Sequence, residues 1–172
     1  MSRMSRTAAV APATRAFLAV AALGAGLLHA ALAPGAPLPL LSVLLGLALA
    51  ELAWAVATLA RDRPPLFGIV PALALVPLGL WAGLAVVGAT ASSGTVLTLP
   101  FAPIGTASLL DLGIAAVSAV VLRRRRPVQP TSGALRFVLA LMLSACAVSA
   151  VTIPALGATD AGVAAVTVHH HH

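Results

Sequence analysis

Three ionisable side chains, His29, Glu51 and Asp111, stand inside long apolar runs, where a charge facing lipid is expensive and functional roles concentrate. An imidazole and two carboxylates can do three kinds of work. They can ligate a divalent metal, with the Cys146 thiolate as a fourth candidate ligand. They can relay protons, with His29 and Glu51 exchanging one between them. They can also form a buried network that only fixes helix register. The residue types leave all three open. Other chemistries are easier to set aside. HExxH, GxSxG and Walker patterns are absent, and no Ser/His/Asp arrangement is set by spacing, so no catalytic residue is assigned. A haem held by two axial histidines needs a second intramembrane His, and His29 is alone in the apolar runs. Met142 and Cys146, four apart on one helical face, could make a soft-metal pair, although packing is the commoner use of such a pair.

Depth is what makes the three residues a candidate layer. Arginines mark the inner edge of each run, and a helix rises 1.5 Å per residue. Counting from them puts His29 roughly 21 Å above Arg15, Glu51 roughly 15 Å above Arg61 and Asp111 roughly 18 Å above Arg123. Cys146 falls near 15 Å by the same count from Arg136. Helical spacing then predicts small, polar faces: Ala22, Gly26, His29 and Ala33 in one run; Ala48, Glu51, Ala55 and Thr58 in the next; Ser108, Asp111, Ala115 and Ser118 in a third. Packed together, those faces would hide the polar groups from lipid.

The elements that must position them are transmembrane helices. Of 172 residues, 60% are hydrophobic and 8% charged, with mean hydropathy +1.07, too few polar groups to cover a water-facing surface. Five apolar segments are expected to span: about 16–33, 38–60, 66–90, 106–122 and 135–156, each long enough for roughly 30 Å of hydrocarbon. Barrel-type alternation is not seen. The fold class is therefore all-α, a polytopic bundle in the plasma membrane. Residues 1–15 form an inner N-terminal segment and 157–172 an outer tail. The four terminal histidines, His169 to His172, read as a purification tag and are set aside.

All ten basic residues are Arg. Arg3, Arg6 and Arg15 precede the first run, Arg61 and Arg63 follow the second, and Arg123 to Arg126 and Arg136 separate the fourth and fifth. Every one falls on one side of a five-span topology, so that side is cytoplasmic, with the N-terminus inside and the C-terminus outside. Four spans behind a cleaved signal peptide, cut at Ala31-Leu32-Ala33, is the runner-up; Pro34 after the cut disfavours it. The net charge of +6 and pI near 11.8 do not indicate nucleic acid, because Tyr is absent and no basic stripe interleaves with aromatics. Arg123, Arg124, Arg125 and Arg126 are instead expected to hold anionic lipid headgroups.

Punctuation inside the runs gives further expectations. Pro71 and Pro77 should bend the third span, and Gly79 with Gly83 forms a GxxxG that permits close helix approach. Pro100 and Pro103 argue for a loop over residues 91–105 that folds back across the outer mouth. Trp54 and Trp81 are expected as interfacial anchors. The single Cys146 excludes an intrachain disulfide.

Gly26-Leu-Leu-His29, Glu51-Leu-Ala-Trp54 and Leu99-Pro-Phe101 resemble stretches of uncharacterised small membrane proteins encoded in high-GC actinobacterial genomes. The resemblance covers residues 16–126. It implies a compact plasma-membrane bundle and supplies no activity. The expected function is a binding or accessory bundle that serves a larger membrane complex or lodges a hydrophobic ligand, with membrane lipid and either a protein partner or a second copy as neighbours. A proton- or metal-linked carrier using His29, Glu51 and Asp111 is the alternative, and an intramembrane enzyme on a lipid-soluble substrate a further one.

Overall fold

The structure is a computed structural model that describes residues 10–61, 64–90, 100–124 and 134–169. Arg3, Arg6, Arg63, Arg125, Arg126, residues 91–99 of the expected outer loop and His170 to His172 lie outside the described residues. Those described are helical and turn structure: α1 Pro12–Leu32, α2 Leu38–Ala60, α3 Val70–Leu73, α4 Val76–Thr90, α5 Phe101–Arg124, α6 Ala134–Gly157 and α7 Asp160–His169. Four of them (α1, α2, α5 and α6) are long and apolar enough to cross a membrane.

Local chemistry explains the boundaries. Pro12 starts α1 at a position where its missing N–H has no intrahelical partner, and Arg15 N–H donates to the Ala11 carbonyl at 2.9 Å. The run Pro34-Gly35-Ala36-Pro37 turns the chain; Gly35 takes φ +83°, which only glycine adopts without strain. At the far end of α2, Arg15 Nη1 donates to the Arg61 carbonyl at 3.2 Å and places a cation where the helix carbonyls end. The same guanidinium lies 4.9 Å from the Phe137 ring centroid.

One expectation about helix limits is corrected. Residues 101–105 belong to α5 rather than to a loop, because Pro103 falls in the first turn, where its ring and absent donor are tolerated. The tail after Gly157 carries a helix of its own. Thr159 Oγ1 accepts from Gly162 N–H at 3.1 Å and donates to the Leu156 carbonyl at 2.7 Å; with Asp160 in the first turn, this starts α7.

The third apolar segment is a broken helix. Pro71 and Pro77 both sit in first turns, and the chain passes through a turn at Ala74 and Leu75 before α4 begins. Its start and its midpoint meet opposite ends of α2. Trp54 Nε1 donates to the Pro65 carbonyl at 2.9 Å, whereas Trp81 clusters with Ala33 and Leu44.

The core is built around α1, which packs against α2, α5, α6 and α7. Leu18, Ala21, Ala22, Ala25 and Leu28 from α1 meet Ala55, Val70, Ala107, Ile114 and Val148. Small residues let the backbones approach closely: a Cβ added at Gly24 would meet Val148 Cγ1 at 2.7 Å, and one at Gly26 would lie 3.2 Å from the Ala48 carbonyl oxygen. Gly79 and Gly83, the expected GxxxG, have no atom within 4 Å of an added Cβ among the described residues, so that motif makes no close helix approach there.

Candidate functional site

α1, α2 and α5 bring His29, Glu51 and Asp111 together. Each offers one ligand-type atom, and those atoms all lie within 4.8 Å of one another. His29 Nδ1 and Glu51 Oε2 form an ion-pair-type contact of 2.9 Å. His29 is fully buried, Asp111 is 2% exposed, and the Glu51 side chain is 15% exposed, so the layer is closed on two sides and reachable on one. The small faces are largely as spaced: Ala22, Gly26 and His29 are buried on α1 and Ala33 just past its end, Ala48, Ala55 and Thr58 on α2, and Asp111, Ala115 and Ser118 on α5, where Ser108 is half-buried. Glu51 sits between Ala48 and Ala55 on its face, half-buried.

Two polar atoms of this layer, His29 Nε2 and Asp111 Oδ2, are buried and make no hydrogen bond among the described residues. A buried polar atom in that state costs roughly 1–3 kcal/mol, so each has reason to take a partner. Thr58 Oγ1 and Ser118 Oγ, two helical turns nearer the arginine-bearing ends, are buried and unpartnered in the same way.

Beside the layer lies a cavity of about 280 Å³. Glu51 and Asp111 line it together with Trp54, Val70, Leu73 and Pro77. The break in the third segment lies on this space: Leu73, Ala74, Val76 and Pro77, from both sides of the turn at Ala74 and Leu75, belong to its lining. Proline spacing signals the break in the sequence, but nothing there signals that the break opens onto the two carboxylates. A second cavity of about 310 Å³ sits at the turn between α1 and α2, lined by Pro34, Trp81, Pro100, Thr159 and Asp160 among others. It contains none of the three clustered residues.

Other candidate residues fall elsewhere. Cys146 is exposed on α6 and is not in the cluster, so it is no ligand beside His29, Glu51 and Asp111. Its estimated depth matched theirs, but its helix turns it outward with Met142, which is 60% exposed. Trp81 is no outward-facing anchor: it is 7% exposed and packs inside the outer cluster. Trp54 is half-buried and packs against the core, held by its bond to Pro65. Arg123 and Arg124 end α5 and are exposed.

No family model matches the chain, and no curated protein or solved structure matches it either.

Proposed function

We propose that this chain is a multi-pass plasma-membrane protein that lodges a small hydrophobic ligand, its one polar head set against His29, Glu51 and Asp111. The observation that carries this reading is the cavity of about 280 Å³, apolar except where Glu51 and Asp111 form its wall. Ligand sites have this composition: mostly apolar lining with a few placed polar groups. Burial of the unpartnered Asp111 Oδ2 adds a reason to recruit a head that hydrogen-bonds or coordinates.

The topology in this reading has five crossings, N-terminus inside and C-terminus outside. The broken α3–α4 segment supports it by touching opposite ends of α2, as a crossing would. The placement of every arginine on one side supports the orientation. Arg123 and Arg124, at the end of α5, then face the inner leaflet. A groove between α1 and α5, lined by Thr14, Val120, Val121 and Arg124, suits an acyl chain with its anionic headgroup at the arginine.

Native mass spectrometry of the protein released from lipid nanodiscs tests the reading. A small apolar molecule should be retained in near-stoichiometric amount. Ala74→Phe, which fills the cavity from its wall, should cut retention tenfold or more, about 1.4 kcal/mol. Equal retention by that variant would remove the cavity from the proposal.

A proton-linked carrier is the second reading, favoured by the 2.9 Å contact between His29 and Glu51 beside a second carboxylate. It expects Glu51→Gln to abolish pH-coupled uptake into proteoliposomes while melting is unchanged.

A further inference from the structure

We propose that His29, Glu51 and Asp111 hold a divalent first-row transition metal, one atom from each residue, with coordination left open toward the cavity. The inference rests on the reading of this layer as a binding site and names what the ligand's polar head would meet there.

Charge balance is the first argument. Two carboxylates stand in a low-dielectric layer where an uncompensated charge is costly. The described arginines, Arg15, Arg61, Arg123, Arg124 and Arg136, all lie at or near helix ends, and none belongs to the cluster. A carboxyl group in such a layer can be neutralised by a proton or compensated by a cation. A divalent cation offsets both and keeps the imidazole neutral, which is its ligating form.

Geometry is the second. Zinc and its neighbours bind nitrogen and carboxylate oxygen at roughly 2.0–2.2 Å, so adjacent ligand atoms lie about 3 Å apart in a six-coordinate set and about 3.4 Å apart in a tetrahedral one. His29 Nδ1 and Glu51 Oε2 stand 2.9 Å apart, the edge of the six-coordinate set and about 0.5 Å short of the tetrahedral one. Asp111, within 4.8 Å of both, needs a shift of order 1 Å to close the set, well within the reach of a side-chain rotation. Its Oδ2 is buried and makes no bond in the protein that a metal would have to break. One imidazole with two carboxylates suits Zn²⁺, Mn²⁺ or Fe²⁺ better than Ca²⁺ or Mg²⁺, which favour oxygen alone.

Third, three protein ligands fall short of a closed four-coordinate site, and two of the three line the cavity. The open position therefore faces the space in which a ligand would lie, and a donor atom on that ligand's head could complete the coordination.

The test uses protein freed of its terminal histidines by protease, stripped with chelator and held in nanodiscs. Titration with Co²⁺, followed by its visible absorption, should show one bound equivalent, and elemental analysis after Zn²⁺ loading should agree. Asp111→Asn and Glu51→Gln, near-isosteric changes, should each weaken binding tenfold or more, with melting in chelator close to that of the parent. His29→Gln should do the same, whereas Cys146→Ser should bind as the parent does. Absence of a stoichiometric equivalent, or uptake unchanged by Asp111→Asn, would overturn the metal. Retention of an apolar ligand in chelator would then leave the cavity reading standing; loss of both signals would end both.

Discussion

α1 and α6 have nearly the same length and are both apolar, yet they occupy opposite places in the bundle. The most apolar window of α1 has mean hydropathy 1.7 and is 56% buried; that of α6 has 2.2 and is 11% buried. The more hydrophobic helix is the outer one. Hydropathy measures what a helix gains from lipid, which is as apolar as its side chains, so it cannot draw a helix to the centre. Size does. α1 buries Ala16, Ala19, Ala21, Ala22, Gly24 and Ala25, and it carries His29 on that packed surface. α6 buries only Val148, Thr152 and Ala155 and turns Leu135, Leu139, Leu143 and Ile153 outward. The polar side chain on α1, His29, is therefore enclosed beside Glu51 and Asp111, whereas Cys146 on α6 is exposed.

The strongest way to break this contrast is to give α1 the bulk that α6 tolerates. In Gly24→Leu, the added side chain runs into Val148 Cγ1 at 2.7 Å, Leu110 Cδ1 at 3.1 Å and Thr152 Oγ1 at 3.1 Å, atoms from two other helices. Overpacking of this kind costs typically 1–3 kcal/mol, and a clear drop in melting temperature in detergent should report it. Gly79→Leu on α4 is the matched control, since nothing described lies within 4 Å of its Cβ position. It should change stability by no more than about 0.5 kcal/mol. Equal effects at the two glycines would mean that α1 is not the packed centre.

A smaller effect is expected where α1 and α6 meet. Thr152 Oγ1 is buried and makes no hydrogen bond within the protein. Thr152→Val keeps the shape and removes the unsatisfied hydroxyl, so stability should stay level or rise by up to about 1 kcal/mol. A loss of more than that amount on chemical denaturation would show that the hydroxyl is satisfied by a group held between the helices.

The same contrast explains how much could be foreseen from sequence. Counting residues from the arginines brought His29, Glu51 and Asp111 to a common depth, because α1, α2 and α5 are continuous helices whose rise is fixed. The spacing of Ala, Gly and Ser around them identified the inward faces as well. Cys146 shares the counted depth but not the cluster, since depth says nothing about rotation, and its own face offers Met142 instead of small residues. The cavity was not legible, because it depends on where the backbone goes after Ala74, and Pro77 fixes only that the helix stops. Trp81 looked like an interfacial anchor because aromatics near span ends usually are; its burial depends on Ala33 and Leu44, which reach it from other helices. α7 was hidden behind small apolar residues, although Thr159 and Asp160 form an ordinary helix start.

The smallest expected effect is also the most informative about neighbours. Leu143 is 71% exposed on α6, on the outward side it shares with Leu139 and Met142. If lipid alone covers that face, Leu143→Ala exchanges one lipid-facing apolar side chain for a smaller one and opens no cavity. Its stability in nanodiscs should then differ from the parent by less than about 0.5 kcal/mol. A protein partner changes the arithmetic. Leu143 packed against a second copy or a larger complex would leave a hole on truncation, and buried Leu→Ala changes cost about 2–5 kcal/mol. Melting of purified protein at several protein-to-lipid ratios separates the two cases, because a self-association contact weakens on dilution in the bilayer and a lipid contact does not. A loss that appears only at high protein density would identify α6 as the face on which copies of this chain meet, leaving α1 and its buried layer at the centre of each copy.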